Sequence, residues 1–202
     1  MTSTIRIMKK TILTSFLIIA STNANAANRY DQNFSFKLGG AKHSFEGTKL
    51  TKSTPIAIGF DYTNYLFPLS SNIDLGMSAG ANIAIAYDTI DSRYHTTSVR
   101  TDYGTGYIAP VISFKPNDVI DLYARIGGSI NYLAATINTT TIYNDHTSTH
   151  DETALGLYYA AGINIALGRK VFAGLEYTTN IYDVEGDSIK TEIAYAKFGF
   201  RF

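Results

Sequence analysis

The sequence contains no cysteine and no tryptophan, and only 4 prolines among 202 residues. Without cysteine there can be no disulfide, no thiol nucleophile and no cysteine-held metal. Basic and acidic residues balance at 17 each, so the formal net charge is zero and nothing points to nucleic acid. Long apolar runs are also missing. The one candidate, residues 12–20, is too short to cross a bilayer as a helix. No Gly-rich phosphate loop, Walker sequence or zinc-spaced cluster occurs, so no cofactor and no metal is expected. What the chain does have is 15 tyrosines, 11 phenylalanines and 16 glycines. That composition suits strands with close backbone contact.

The N-terminus reads as a secretory signal peptide over residues 1–26. Lys9 and Lys10 precede the apolar stretch, and Ala24-Asn25-Ala26 has the small-x-small form of a cleavage site. A cut after Ala26 removes Arg6, Lys9 and Lys10 and no acid. That leaves 14 basic against 17 acidic residues, a net charge of −3.

From residue 27 to 202 the governing pattern is period two, which means strands with one set of side chains on each face. Eight such segments are predicted, near 33–42, 55–66, 73–87, 103–114, 120–136, 154–167, 171–182 and at the closing stretch. The third is the cleanest. Ile73, Leu75, Met77, Ala79, Ala81, Ile83, Ile85 and Tyr87 alternate with Asp74, Gly76, Ser78, Gly80, Asn82 and Ala84. Asn64 breaks the parity of the second, where a bulge or an early end is expected. The fourth is apolar on both faces and carries Pro110, so its facing stays open. The connections alternate between long polar loops (43–54, 88–102, 138–152, 183–190) and short turns. Short turns therefore gather at one end of the sheet and long loops at the other.

The small or polar face holds Lys37, Arg125, Lys197 and Arg201 against Asp61, Asp74, Asp121 and Glu176. A soluble barrel would instead turn bulky apolar residues inward. Counting depth from the strand ends groups Asp61, Arg125, Glu176 and Lys197 in one interior layer. Asp74, Asp121 and Arg201 group in a second, nearer the short-turn mouth. Buried charges persist only when paired, so the balanced count predicts a structural ion cluster. Phe198, Phe200 and Phe202 fall on the opposite, lipid-facing side. Tyr62, Tyr87, Tyr132, Tyr159 and Tyr177 are candidates for an aromatic belt on the long-loop side. All four histidines fall in expected loops. His146, Ser148, Asp151 and Glu152 include the elements of a nucleophile triad, but in a Ser/Thr-rich loop they read as solvated, and no catalytic residue is assigned.

These features make the fold class all-β, an eight-stranded antiparallel transmembrane up-and-down β-barrel. On them the chain resembles small outer-membrane barrels of the Ail/OmpX and opacity type and the membrane domain of OmpA. The resemblance implies a place in the outer membrane of a Gram-negative bacterium, in contact with outer-membrane lipid and lipopolysaccharide. It makes Phe198, Phe200 and Phe202 the signal read by the barrel-assembly machinery. It further implies adhesin or surface-antigen roles, with host or matrix molecules held by the loops. No loop motif transfers, so ligand-binding residues stay unassigned. The expected function is a non-enzymatic surface barrel. The alternatives are a lipid-modifying outer-membrane enzyme and a narrow porin-like channel.

Overall fold

The computed structural model describes residues 32–45, 48–49, 54–91, 95–141, 145–184 and 186–202. The expected leader and cleavage site, residues 1–26, lie outside the described residues. Nine strands form: β1 (Gln32–Phe45), β2 (Thr48–Lys49), β3 (Ile56–Pro68), β4 (Ile73–Asp91), β5 (His95–Phe114), β6 (Ile120–Thr141), β7 (Asp145–Ala166), β8 (Val171–Val184) and β9 (Asp187–Arg201). Every pairing is antiparallel. Apart from β2, each strand lies beside its sequence neighbours, and β1 also pairs with β9, from Asn33↔Arg201 to Phe45↔Ile189. Eight long strands thus close a ring, while the two-residue β2 adds only to the end of β1. No helix occurs among the described residues.

The alternation decides the facing. Ser35, Lys37, Asp61, Thr63, Asn82, Arg125, Glu176 and Lys197 are buried inside the ring. Phe36, Leu38, Ile58, Ile83, Ile126, Leu157, Leu175, Phe198, Phe200 and Phe202 are exposed on its outer wall. This is an inverted protein, apolar outside and polar inside, as an up-and-down membrane barrel requires. The fourth expected strand now has a facing. Tyr107, Ala109, Val111 and Ser113 point inward, while Ile108, Ile112 and Phe114 are exposed. Pro110 pairs in register with Met77, whereas the ladder to β6 lapses at Ala109 and Pro110 and resumes unchanged at Val111. The irregularity expected at Asn64 comes slightly later, between Tyr65 and Phe67.

The long loops are mostly not loops. Residues 88–91 continue β4 and 95–102 continue β5, while 138–141 continue β6 and 145–152 continue β7. Segment 183–190 turns at Gly186, whose φ of 94° suits glycine, and β9 begins at once. Residues 43–45 continue β1. All four histidines therefore lie on strands, and His43 is fully buried. Among the tyrosines expected on the long-loop side, Tyr62 belongs to the other half. It pairs with Phe34 and lies 6.5 Å from the ring of Phe202.

Candidate functional site

Two regions stand out: a charged layer inside the ring and a sheet that rises beyond it. The layer is built by strands from all sides, since each inward position of a tilted strand reaches the same narrow axis. Lys37 of β1 donates to Glu176 Oε1 at 3.0 Å and lies 3.4 Å from Asp61 Oδ2. Lys197 of β9 donates to Glu176 Oε2 at 3.1 Å and lies 3.4 Å from Asp61 Oδ2. Arg125 of β6 bridges both carboxylates, reaching Asp61 at 3.3 Å through two nitrogens and Glu176 at 3.1 Å. Arg125 also donates to Thr63 at 3.1 Å, and Tyr123 donates to Glu176 Oε2 at 2.6 Å. Tyr107 Oη accepts from both Lys37 and Arg125 at 3.3 Å, and its ring stacks on Tyr158 at 3.9 Å.

The structure thus brings together the four residues expected in one layer and adds Lys37 to them. All five side chains are at most 3% exposed. The second expected layer does not assemble. Asp74 receives Lys115 at 2.5 Å, from the adjoining turn. Asp121 accepts from Ser113 and, at 3.2 Å, from Asn164. Arg201 sits 5.5 Å over the ring of Phe172. Depth counted from strand ends ignores tilt, which separates these three around the wall.

Towards the long-loop end His43 Nδ1 meets Thr191 Oγ1 at 2.9 Å, and its ring lies 5.1 Å from Tyr103. Tyr103 stacks on Tyr182 at 6.2 Å and donates to Asn131 at 3.0 Å. With Ile189 and Ile193 these rings form the apolar part of the interior. Sequence reasoning missed this cluster because His43 follows Lys42 and opens a polar run. Its parity with Lys37, Gly39 and Ala41 was the available signal.

The second region follows from unequal strand lengths. β4 to β7 run for 19, 20, 22 and 22 residues, whereas β1, β3, β8 and β9 run for 13 to 15. Pairing of β3 with β4 stops at Ile56↔Ile85, and pairing of β7 with β8 stops at Gly156↔Tyr182. Beyond those points a four-stranded sheet continues alone. Among the described residues no strand pairs with the outer edges at 86–91 and 145–155. Side-chain hydroxyls cross-link its faces: Thr97 with Thr139 at 3.5 Å, Thr136 with Thr149 at 3.4 Å, and Thr147 donating to Asn138 at 2.8 Å. Arg100 donates to Asp102 at 2.8 Å and lies 5.6 Å over Tyr87. His146 and Ser148 occupy alternate exposed positions of β7, with Asp151 on the opposite face. His150 lies 3.7 Å from Glu152. No group of three or more metal-ligating side chains gathers among the described residues.

Comparison with known proteins agrees with this architecture. No curated protein sequence matches the chain. Among solved structures it is similar to Ail, the attachment invasion locus protein of Yersinia pestis, seen in complex with the heparin analogue sucrose octasulfate. Identity is 15% and the TM-score 0.54, over 84% of this chain and 97% of Ail. It is likewise similar to Neisserial surface protein A (12% identity, TM-score 0.54, over 85% and 97%). The Escherichia coli outer membrane protease OmpT shares the fold at 11% identity and a TM-score of 0.50, over 89% and 99%. The family described as outer membrane protein beta-barrel domain matches residues 12–202. With ring closure, inverted faces and that match in hand, the chain belongs to the outer membrane β-barrel protein family.

Proposed function

We infer that this protein is a non-enzymatic surface barrel whose β4–β7 sheet contacts host or matrix polypeptides of neutral or basic character. The observation that carries this reading is the projecting sheet itself, with exposed hydroxyls, two outer edges that no strand joins among the described residues, and an acidic balance. Its side chains beyond the ring include Asp88, Asp102, Asp151 and Glu152 against Arg100. An unpaired edge offers backbone donors and acceptors to an extended segment, and acidic flanks favour a basic one. Ail was seen with a sulfated heparin analogue. The acidic sheet here disfavours a polyanion at neutral pH, so the ligand chemistry differs.

In this reading the wall sits among outer-membrane lipid and lipopolysaccharide. The alternating Phe198, Phe200 and Phe202 address the assembly machinery, and residues 1–26 are removed on export. The decisive experiment replaces the two hairpin tips beyond the ring with short turns and measures binding to host-cell and matrix proteins. Loss of binding with retained heat-modifiable gel mobility is expected. Unchanged binding would remove the sheet from the function. The lipid-enzyme alternative predicts altered lipid A mass spectra on overexpression, and unaltered spectra are expected.

A further inference from the structure

The interior layer is not neutral. Lys37, Arg125 and Lys197 converge on Asp61 and Glu176, three cations on two carboxylates among the described residues. The other inward carboxylates lie on the turn side and are engaged there, Asp121 by Ser113 and Asn164, Asp74 by Lys115. Arg201 adds a further cation on that same side. An uncompensated charge in a water-poor interior is costly unless something of opposite sign meets it.

Buried polar atoms without a partner occur on both sides of the layer, Asn33 Oδ1, Ser35 Oγ and Asn164 Oδ1 towards the short turns and a larger set on the other side. Thr178 and Asn180 are the next two inward positions of β8 beyond Glu176. Asn82 lies across Gly59, which pairs with Lys37, and its amide leans over that glycine, where a Cβ would meet it. The ring of Tyr195 leans over Gly39 and stands 5.0 Å from Lys37 Nζ. The hydroxyls of Thr178 and Tyr195 and both amide ends of Asn82 and Asn180 are buried with no hydrogen-bond partner. These four residues are at most 2% exposed. Buried polar groups are otherwise almost always satisfied. Small residues, Ala41, Ala57 and Ala84, keep side-chain bulk low between this level and the rings of His43, Tyr103 and Tyr182.

We propose that the barrel binds one small monovalent anion of halide size on the long-loop side of the charged layer. Lys37 supplies the excess charge, and Asn82, Thr178, Asn180 and Tyr195 supply donors. Hydroxyls and amide N–H groups can all donate, so one anion engages the idle donors and offsets the charge imbalance together, with the amide oxygens of Asn82 and Asn180 turned away from it. An eight-stranded interior packed with side chains leaves room for a small ion and excludes larger ones.

The test compares thermal unfolding of the refolded full barrel in sodium chloride or bromide with sodium methanesulfonate at equal ionic strength. Crystals grown in bromide are measured at the bromine absorption edge. The melting temperature is expected to rise by about 3–5 °C for each tenfold increase in halide above its Kd, and not in methanesulfonate. One interior bromide beside Lys37 is expected. Asn180→Asp places a carboxylate where the anion would sit, and Lys37→Met removes the excess cation. Each should fold and lose the halide dependence. Identical wild-type melting in all three salts, bromide at the surface only as an adventitious ion, or halide dependence that survives both substitutions would overturn the proposal.

Discussion

At the scale of single residues, Glu176 is the carboxylate on which the interior cations and Tyr123 converge. Its two oxygens take Lys37, Tyr123, Arg125 and Lys197. Removing one partner of a buried ionic set strands the others, at a cost of about 3–5 kcal/mol. Glu176→Ala is therefore expected to lower the temperature at which heat-modifiable mobility is lost, and unchanged melting would argue against a structural role for the layer. Close approach matters as much as charge. The ring of Tyr123 lies over Gly162 of β7, where any Cβ would strike it. Gly162→Leu should displace Tyr123 from Glu176 and Lys197 and destabilise the barrel by about 1–3 kcal/mol, measurable in the same gel assay. The inward side of Lys37, Asp61, Arg125, Glu176 and Lys197 was legible from parity alone. Which of them touch was not, because contact across the ring depends on strand tilt and side-chain reach. Lys115 shows this well, since it lies in a turn by sequence yet takes the carboxylate of Asp74.

At the scale of elements, the long strands β4 to β7 divide into two regimes. Within the ring the backbones are paired on both sides, apart from the lapse at Ala109 and Pro110 and the irregularity between Tyr65 and Phe67. Beyond it, 86–91 and 145–155 pair with a strand on one side only among the described residues. Amides on those outer edges are expected to exchange with deuterium far faster than those of Ser78, Asn82 or Arg125 in the ring, as native-state exchange by mass spectrometry would show. Equal protection would mean that the edges are covered. The ring strands were legible because lipid on one face and packed polar groups on the other enforce strict alternation, as in 73–87. The extensions were not. Both of their faces meet water, so Thr96, Thr97, Thr136, Thr139, Thr147 and Thr149 carry no apolar–polar contrast. β-branched threonine, with Val99, was the trace of strand in what otherwise reads as a polar loop.

At the scale of the whole molecule, the interior filled by the charged layer below and the His43, Tyr103 and Tyr182 rings above makes a conducting pore unfavourable. Planar-bilayer recordings of the purified protein should show no conductance steps, and regular steps would revive the channel reading. The exterior carries a different consequence. Gln32 and Phe202 exchange both backbone hydrogen bonds, at 3.2 and 3.0 Å, so the first and last described residues are neighbours in one ladder. Sequence order is then a convention laid over a closed cycle of eight staves. A short linker from Phe202 to Gln32, with the chain reopened between β8 and β9, would give a circular permutant with the same neighbours throughout. Its folding in detergent would separate what the finished ring requires from what the proposed assembly signal adds, because the permutant no longer ends in Phe198, Phe200 and Phe202.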